Sequence, residues 1–225
     1  MNIAFIPVRG GSKSIPLKNI KEIFGHPLVY WVAKSANDAN CIDKVVIATD
    51  SEEIKQVVKN FKFEKLEIYD RNPNNATDTA STESVMLEYI EKAKLKKTDT
   101  FFLIQATSPM LKAEHIDAMY EFYCSVSCDS VFSAVREKQF HWIENLQNNV
   151  EPVNYDYQNR PRRQDFKGLL AENGACYINS VENITESKCR LSGNIRAFEL
   201  PLYTAYEIDE AEDWIIVEEL MKHFL

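Results

Sequence analysis

The sequence predicts an α/β fold, with a mostly parallel β-sheet and helices on both of its faces. Short apolar runs and amphipathic segments alternate about four times between residues 1 and 136, as in repeated β-α-β units. Phe101–Ile104 is apolar throughout, as expected of a central parallel strand covered on both faces. Polar loops follow these runs, so we expect ligands to bind at the carboxyl edge of the sheet.

The first predicted elements form two strand–helix units. Ile3–Ile6 and the β-branched run Lys44–Thr49 predict strands. Pro27 suits the first turn of a helix, and the apolar residues after it recur on one helical face. Ser51 follows the second strand as a helix-capping residue, so we predict the next helix over Ile54–Phe61.

Later units repeat the pattern after one polar interruption. Leu66–Tyr69 predicts a weaker third strand, and residues 71–82 form a polar loop rich in Asn, Asp, Thr and Ser. Thr82–Lys94 is an amphipathic helix that leads to the fully apolar strand. The remaining predictions are a helix at His115–Tyr123, a strand at Ser130–Val135, a stretch at Ala171–Ile178 that leads from a polar turn back into a strand, and a final helix at Trp214–Phe224.

Composition and terminal features exclude several functional classes. A formal net charge of −8 argues against a general nucleic-acid binder, which needs a positive surface. No apolar run is long enough for a membrane-spanning helix, and the chain enters its first strand without a signal-like leader. We therefore expect a cytoplasmic protein with no membrane partner. The five cysteines include no C-x-x-C pair and give no zinc-binding set.

The loop after the first strand carries a candidate ligand site. Gly10 and Gly11 let the backbone approach a ligand closely. Arg9, Lys13 and Lys18 surround these glycines with positive charge. Cations and backbone N–H groups on a tight loop after a strand suit a polyphosphate. The loop matches neither the P-loop pattern nor the dinucleotide fingerprint, and a plain turn with solvated cations is the alternative.

An acidic pair near the carboxyl end is the candidate metal site. Glu207 and Asp209 are two residues apart, so both point to one side of an extended stretch. Paired carboxylates suit Mg²⁺ that is held together with substrate phosphates. The alternative is that the acids only favour a helix amino terminus, which is the stronger interpretation for Glu210, Glu212 and Asp213.

Residues 137–172 break the alternation of strands and helices, so we predict an inserted arm there. The main α/β domain then comprises residues 1–136 and 173–225. Arg162 and Arg163 belong to an arginine cluster in this arm. The bidentate fork of arginine favours recognition of phosphate or carboxylate over a merely solvated patch.

Several motifs in a fixed order resemble those of the acylneuraminate cytidylyltransferases, also called CMP-sialic acid synthetases. The resemblance runs from Ile3 to Trp214, and the phrases around residues 104–109 and 160–166 are similar to those of the animal-type enzymes. The matching segments are Arg9–Asn19, Ala48–Asp50, Asp78–Thr82, Gln105–Pro109, Arg160–Asp165, Glu172–Gly174 and Glu207–Asp209.

The resemblance implies a Rossmann-like nucleotide-binding domain and a transfer reaction. CTP and a free nonulosonic acid, either N-acetylneuraminate or its deaminated analogue KDN, would give the CMP-sugar and pyrophosphate with Mg²⁺ as cofactor. The loop after the first strand and the acidic pair would meet over one triphosphate. The resemblance also implies a homodimer in which the 137–172 dimerisation arms cross, so that a partner's arm completes the pocket.

The resemblance also implies roles for individual residues. Catalytic roles fall to Arg9, Lys18 and Asp209, and Mg²⁺ would be held by Glu207 and Asp209. The implied substrate-binding residues are Ser12, Asn19, Arg71 and Thr82 on the nucleotide side, Gln105, Asn173 and Tyr177 on the sugar side, and Arg162 and Arg163 in the arm.

Four positions depart from the family pattern and leave the sugar open. Glu207 stands where aspartate is common, which would leave Asp209 as the principal metal ligand, and Ser14 replaces a usual glycine. Ala171 and His141 lie toward the sugar at positions where other members carry basic residues. The alternatives are therefore another 3-deoxy-ulosonic acid (legionaminate, pseudaminate or Kdo) or a nucleotide-binding protein without catalysis.

Overall fold

The computed structural model describes residues 1–11, 14–75 and 80–225. Strands and helices alternate through most of this length. The strands are β1 (Asn2–Pro7), β2 (Glu22–Ile23), β3 (His26–Pro27), β4 (Lys44–Thr49), β5 (Leu66–Asp70), β6 (Thr100–Ile104), β7 (Ser130–Glu137), β8 (Trp142–Glu144), β9 (Val150–Pro152), β10 (Leu169–Ser180) and β11 (Ile195–Glu199). The helices are α1 (Leu28–Asp38), α2 (Glu52–Lys59), α3 (Thr82–Lys92), α4 (Ala113–Ser125), α5 (Val181–Ser187) and α6 (Ala211–Phe224), with 3₁₀ turns at Lys18–Ile20, Pro73–Asn75 and Leu202–Ala205.

Within the described residues, seven strands form the central sheet in the order β11-β7-β10-β6-β1-β4-β5. Neighbouring strands are parallel except around β10, which runs antiparallel to both β6 and β7. The expected mostly parallel sheet is therefore confirmed. From β1 the chain builds outward through β4 and β5, then returns to the other side of β1 with β6. Such a reversal opens a crevice at the carboxyl ends of the strands, where ligands bind.

Side chains of β1 alternate between two apolar layers. Ala4 and Ile6 face the layer that includes residues of α1, α2 and α4, whereas Ile3 and Phe5 face α3 and α5. All four are fully buried, and removing a side chain such as that of Phe5 from water contributes about 1.5–3 kcal/mol. Helices therefore cover both faces of the sheet, as predicted.

A third apolar cluster fixes the carboxyl-terminal segment beside the loop that follows β1. Ile208 is fully buried and packs in one cluster with Ile15, Ile23 and Trp214. Because Ile15 belongs to the β1 loop and Ile208 lies between the two predicted metal-binding acids, this packing brings the two segments together.

Between β7 and β10 the chain leaves the central sheet. Leu169 pairs with Glu137, so the excursion comprises residues 138–168, inside the predicted limits of 137–172. Strands β8 and β9 form a hairpin there, with Trp142 opposite Pro152. Large apolar side chains exposed on this arm are Trp142, Ile143, Leu146, Val150, Val153 and Tyr157.

None of the helices in the described ranges has both the length and the apolar character needed to span a membrane.

Candidate active site

The loop after β1 packs against the start of α2. The backbone N–H of Gly10 donates to Asp50 Oδ1 at 3.2 Å, and Asn19 Nδ2 donates to the carbonyl of Arg9 at 3.2 Å. A Cβ added at Gly10 would lie 2.9 Å from the Cβ of Ser51, closer than real Cβ atoms approach. Only glycine therefore fits this contact without displacement. The predicted ligand Ser12 lies outside the described residues.

Lys18 connects this loop to the acidic segment. Its ammonium donates to the carbonyl of Ile208 at 2.8 Å and to Asp209 Oδ1 at 3.1 Å. The hydroxyl of Ser14 also donates to the carbonyl of Asp209, at 2.5 Å. The two segments that were expected to share one triphosphate are thus in direct contact, although about 190 residues separate them in sequence.

Ile208 holds the acidic pair in place. Its backbone N–H donates to the carbonyl of Thr107 at 2.9 Å, which ties the segment to the turn after β6. Burial raises the pKa of the Glu207 carboxyl, the nearby Asp209 raises it further, and Lys18 opposes both effects. The side chain of Asp209 is 62% exposed, so its carboxylate stays open to solvent. Lys18 therefore offsets part of the repulsion between the two carboxyl groups.

An arginine-lined cavity of about 290 Å³ opens at the carboxyl edge of β1. We call it the arginine cavity. The start of α3 lies on its wall, where the positive end of the helix dipole favours an anion. Its lining residues are Pro7, Arg9, Arg71, Ala80, Ser81, Thr82, Val85 and Gln105.

Arg71 is the buried cation of the arginine cavity. It is only 6% exposed, and one guanidinium nitrogen, Nη2, donates to the carbonyl of Asn75. Its Nε is buried and meets no hydrogen-bond partner in the described part of the chain. Burial lowers the pKa of Arg71, Asp50 and Glu88 act against this, and Arg9 adds to it. A buried guanidinium whose charge is disfavoured by burial and by a second guanidinium nearby favours a bound anion.

A second cavity, of about 400 Å³, adjoins the first. We call it the acidic cavity. Gln105 lines both cavities, so the two share a wall at the end of β6. The other lining residues are Thr107, Glu172, Gly174, Tyr177, Glu207 and Asp209.

The Tyr177 ring forms a fixed part of the acidic cavity. It is 4% exposed, and its hydroxyl donates to Glu172 Oε1. Burial raises the pKa of Tyr177, and the hydrogen bond to Glu172 adds to this effect. The phenol therefore stays protonated and oriented at neutral pH.

Asn173 has a supporting position beneath the acidic cavity. Its Oδ1 accepts from Ser133 Oγ at 2.6 Å, and its Nδ2 donates to the carbonyl and hydroxyl of Thr204 at 3.0 and 3.1 Å. It lies where the pairing of β10 with β7 shifts register, next to Gly174. These contacts fix the bulge that shapes the cavity, and the expected contact of Asn173 with substrate stays a prediction.

The two arm arginines lie apart from these cavities. Arg162 and Arg163 are exposed, and neither lines the arginine cavity or the acidic cavity in the described chain. Arg163 instead borders a separate opening of about 600 Å³ together with Arg136 and Tyr206.

Several residues near the site were missed by the sequence-based site assignment. Thr107 hydrogen-bonds to Glu207 and lines the acidic cavity with Glu172, and both residues fall in motifs that the family resemblance had marked. Glu88 and Arg190 fall in none of the motifs that carried the family resemblance. They act through contacts between distant elements, which leave no periodic pattern in the sequence.

A metal ion at the acidic pair would need ligands beyond the carboxylates that the described residues supply there. Among residues 1–11, 14–75 and 80–225, no group of three or more His, Cys, Asp or Glu residues is arranged to hold an ion. Two carboxylates with substrate phosphates and water are nevertheless a usual ligand set for Mg²⁺. The raised pKa of Glu207 fits this chemistry, because a divalent cation would relieve the repulsion from Asp209.

Two solved structures share the architecture of this chain. The chain matches a CMP:2-keto-3-deoxy-manno-octonic acid synthetase complexed with CTP at a TM-score of 0.70 and 18% identity, covering 100% of this chain and 99% of that one. It matches a 4-diphosphocytidyl-2C-methyl-D-erythritol synthase at a TM-score of 0.71 and 13% identity, covering 98% of each chain. At these identities the likeness shows the fold alone, a Rossmann-like α/β sheet.

Sequence comparison then identifies the family to which the chain belongs. The profile of the Cytidylyltransferase family matches residues 3–192, and the chain belongs to this family. N-acylneuraminate cytidylyltransferase A of Danio rerio is 35% identical over 224 residues, which cover 98% of this chain and 51% of the relative. N-acylneuraminate cytidylyltransferase of Oncorhynchus mykiss is 37% identical over 227 residues, which cover 98% and 50%. The chain thus spans about half the length of the curated relatives it matches.

Proposed function

We propose that this chain is a cytidylyltransferase that joins CMP from CTP to a sialic-type nonulosonic acid, either N-acetylneuraminate or KDN, and releases pyrophosphate. The observation that carries the proposal is the contact between Lys18 of the β1 loop and Asp209 of the acidic pair, a residue that lines the acidic cavity. Family membership and the names of the relatives support it.

The arginine cavity would bind the nucleotide. Arg9 offers positive charge to a triphosphate, and Asn19 holds the loop carbonyl of Arg9 in place. Arg71 lies on the same cavity and would face the cytidine. Thr82 is the first residue of α3 and offers its hydroxyl on the cytidine side. These groups are fixed before the reaction, so they stabilise charge on the leaving pyrophosphate without reorganisation.

The acidic cavity would bind the sugar. Glu172 can accept hydrogen bonds from sugar hydroxyls, Tyr177 packs against the ring, and Gln105 offers an amide at the wall shared with the nucleotide. This arrangement would bring the C2 hydroxyl of the sugar next to the α-phosphorus. That hydroxyl attacks phosphorus, the bond to the pyrophosphate breaks, and the proton passes to solvent.

Glu207 and Asp209 would hold Mg²⁺. The ion would supply positive charge between the triphosphate and the sugar carboxylate. Lys18 is already paired with Asp209, so it holds that carboxylate close to the place where the phosphates would lie.

A homodimer would complete the site. No lysine or arginine is among the described residues that line the acidic cavity, yet the sugar carboxylate calls for a cation. Arg162 or Arg163 from the arm of a second copy would supply one. The exposed apolar side chains of the arm, including Trp142 and Ile143, support such a contact between copies.

Pyrophosphate release tests the proposal. We expect the purified chain with Mg²⁺ to release pyrophosphate from CTP when N-acetylneuraminate or KDN is present, and to discriminate against ATP and GTP. Legionaminate, pseudaminate and Kdo in the same assay rank the alternative sugars. A chain that CTP stabilises against heat but that turns over with none of these sugars would instead be a nucleotide-binding protein without catalysis.

Substitution of the acidic pair tests the site. Asp209→Asn should lower kcat by about 100-fold or more, as for other groups that stabilise transferred phosphates. The melting temperature should change little, because the carboxylate is exposed. Glu212→Gln is the matched control, since Glu212 belongs to the same acidic run but lies outside both cavities. Equal activity of the wild type and Asp209→Asn would show that the site is wrongly placed.

A further inference from the structure

A chain of four side chains connects the walls of the two cavities. Arg190 Nε donates to Glu83 Oε1 at 2.6 Å, and the guanidinium lies over the ring of Tyr177 with its carbon 5.1 Å from the ring centre. The hydroxyl of Tyr177 in turn donates to Glu172. We call this connection, from Glu83 through Arg190 and Tyr177 to Glu172, the Arg190 bridge.

The two ends of the Arg190 bridge belong to different cavities. Glu83 is the second residue of α3, directly after Ser81 and Thr82 on the wall of the arginine cavity. Tyr177 and Glu172 both line the acidic cavity. The helix on the nucleotide side and the wall on the sugar side are therefore joined by a continuous series of side-chain contacts.

The Arg190 bridge is held firmly at its centre. The side chains of Arg190 and Glu83 are 22% and 21% exposed, so their ion pair is largely shielded from solvent. Burial raises the pKa of Glu83, but the hydrogen bond from Arg190, backbone hydrogen bonds and the charge of Arg190 together outweigh burial and leave the pKa below its ordinary value. The buried amide of Asn179 donates to the carbonyl of Arg190 at 3.1 Å, which fixes its loop.

Arginine is the side chain suited to this position. Its planar guanidinium can form a hydrogen bond to a carboxylate along its edge while its face lies on an aromatic ring. A lysine ammonium keeps the charge but cannot provide the flat contact. The Tyr177 ring is thus held at its face by Arg190 and at its hydroxyl by Glu172.

We propose that Arg190 is a positioning residue that couples nucleotide binding in the arginine cavity to sugar binding in the acidic cavity. This inference rests on the proposed function. A triphosphate that fixes the start of α3 also fixes Glu83, and through Arg190 it fixes the Tyr177 wall against which the sugar packs. Coupling between two sites is reciprocal. The sugar must therefore raise the affinity for the nucleotide by the same factor by which the nucleotide raises the affinity for the sugar.

Titration calorimetry with a CTP analogue tests the coupling. The analogue carries a methylene group between the α- and β-phosphorus atoms, so it binds without reacting. Its Kd with Mg²⁺ is measured alone and with saturating N-acetylneuraminate. For the wild type we expect the sugar to lower the Kd of the analogue about tenfold, which is within the usual range of coupling between two sites. For Arg190→Met we expect less than about twofold tightening, with the affinity for the analogue alone nearly unchanged.

Three variants separate positioning from simple loss of structure. Arg196→Met is the matched control, because Arg196 is exposed on β11 and lies outside both cavities, and it should keep the full coupling. Glu83→Gln weakens the Arg190 bridge from the other end and should also reduce the coupling. Arg190→Lys keeps the charge but loses the stacking, so it should restore only part of the coupling.

The outcomes distinguish this inference from the proposed function. If Arg190→Met keeps the coupling of the wild type, or weakens each ligand separately while the coupling persists, Arg190 does not position the sites. If the wild type binds neither the analogue nor the sugar, the proposed function itself fails.

Discussion

Gly10 shows how the lack of a side chain shapes the candidate site. Its backbone N–H reaches Asp50 because the loop lies against Ser51, where an added Cβ would be 2.9 Å from the Cβ of Ser51. At the neighbouring Gly11, an added Cβ would meet no described atom within 4 Å. Two adjacent glycines therefore differ sharply in how much their size matters.

We predict that Gly10→Ala lowers the affinity for CTP about tenfold, whereas Gly11→Ala leaves it within about twofold. The added methyl group at Gly10 must push the loop away from Ser51, and overpacking of this kind costs about 1–3 kcal/mol. The shift would move Arg9 away from the arginine cavity. Titration of CTP into both variants measures the effect, and equal affinities would show that the close packing at Gly10 does not position the loop.

At the scale of single residues, sequence reasoning identified side-chain types better than side-chain partners. Arg9, Arg71 and Gln105 line the arginine cavity, and their implied contacts with substrate stay predictions. Lys18 was expected to contact phosphates, and its present partners are Asp209 and the carbonyl of Ile208. That pairing joins distant segments and leaves no local sequence pattern.

At the scale of elements, α3 is tied to the end of β5 by Glu88. Glu88 Oε1 accepts from Tyr69 Oη at 2.6 Å and from the backbone N–H of Asn72 at 2.9 Å, and Oε2 accepts from Asn75. Because Arg71 donates to the carbonyl of Asn75, this carboxylate supports the wall of the arginine cavity. Burial raises its pKa, but these hydrogen bonds dominate and lower the pKa to about 2.

We predict that Glu88→Gln lowers the free energy of unfolding by about 1–3 kcal/mol at pH 7, the usual range for hydrogen bonds to a charged group. A carboxyl whose pKa is lower in the folded state stabilises the fold above its ordinary pKa of 4.5, and this contribution is lost as the pH falls toward about 2. The difference between the wild type and Glu88→Gln should therefore narrow between pH 6 and pH 3, as measured by urea unfolding.

Glu91→Gln is the control for this experiment, because Glu91 is exposed on the same helix. It should change the unfolding free energy little at either pH. A difference between the wild type and Glu88→Gln that stays constant with pH would show that the ionised carboxylate does not stabilise the wall.

Elements were predicted well where apolar periodicity is strong. Lys44–Thr49 was predicted with the bounds it has as β4, and the start of α3 at Thr82 was also predicted. The antiparallel direction of β10 was not predicted, since strand direction depends on how the preceding arm returns to the sheet. The residue patterns inside a buried strand are the same in both directions.

At the scale of the whole molecule, the arm leaves an apolar surface that one chain does not cover. We predict that the protein is a homodimer at micromolar concentration, because burial of side chains such as Trp142 and Leu146 favours association. Analytical ultracentrifugation measures this, and replacing both residues with serine should shift the equilibrium to monomer. A wild type that sediments as a monomer across the accessible concentration range would contradict the prediction.

The overall architecture could be predicted because the alternating elements and the sheet-edge rule depend on local sequence. The contacts by which distant segments close the site could not be predicted from the sequence. The contacts of Lys18 with Asp209 and of Arg190 with Glu83 join residues far apart in the chain. Such contacts follow from tertiary packing, which residue spacing does not encode.

A crystal structure with Mg²⁺ and the methylene CTP analogue tests the central claim most directly. The account predicts the phosphates between Arg9 and Lys18, with the ion on Asp209 and Glu207 and the cytidine toward Arg71. A nucleotide bound outside the arginine cavity, or phosphates remote from the acidic pair, would contradict it.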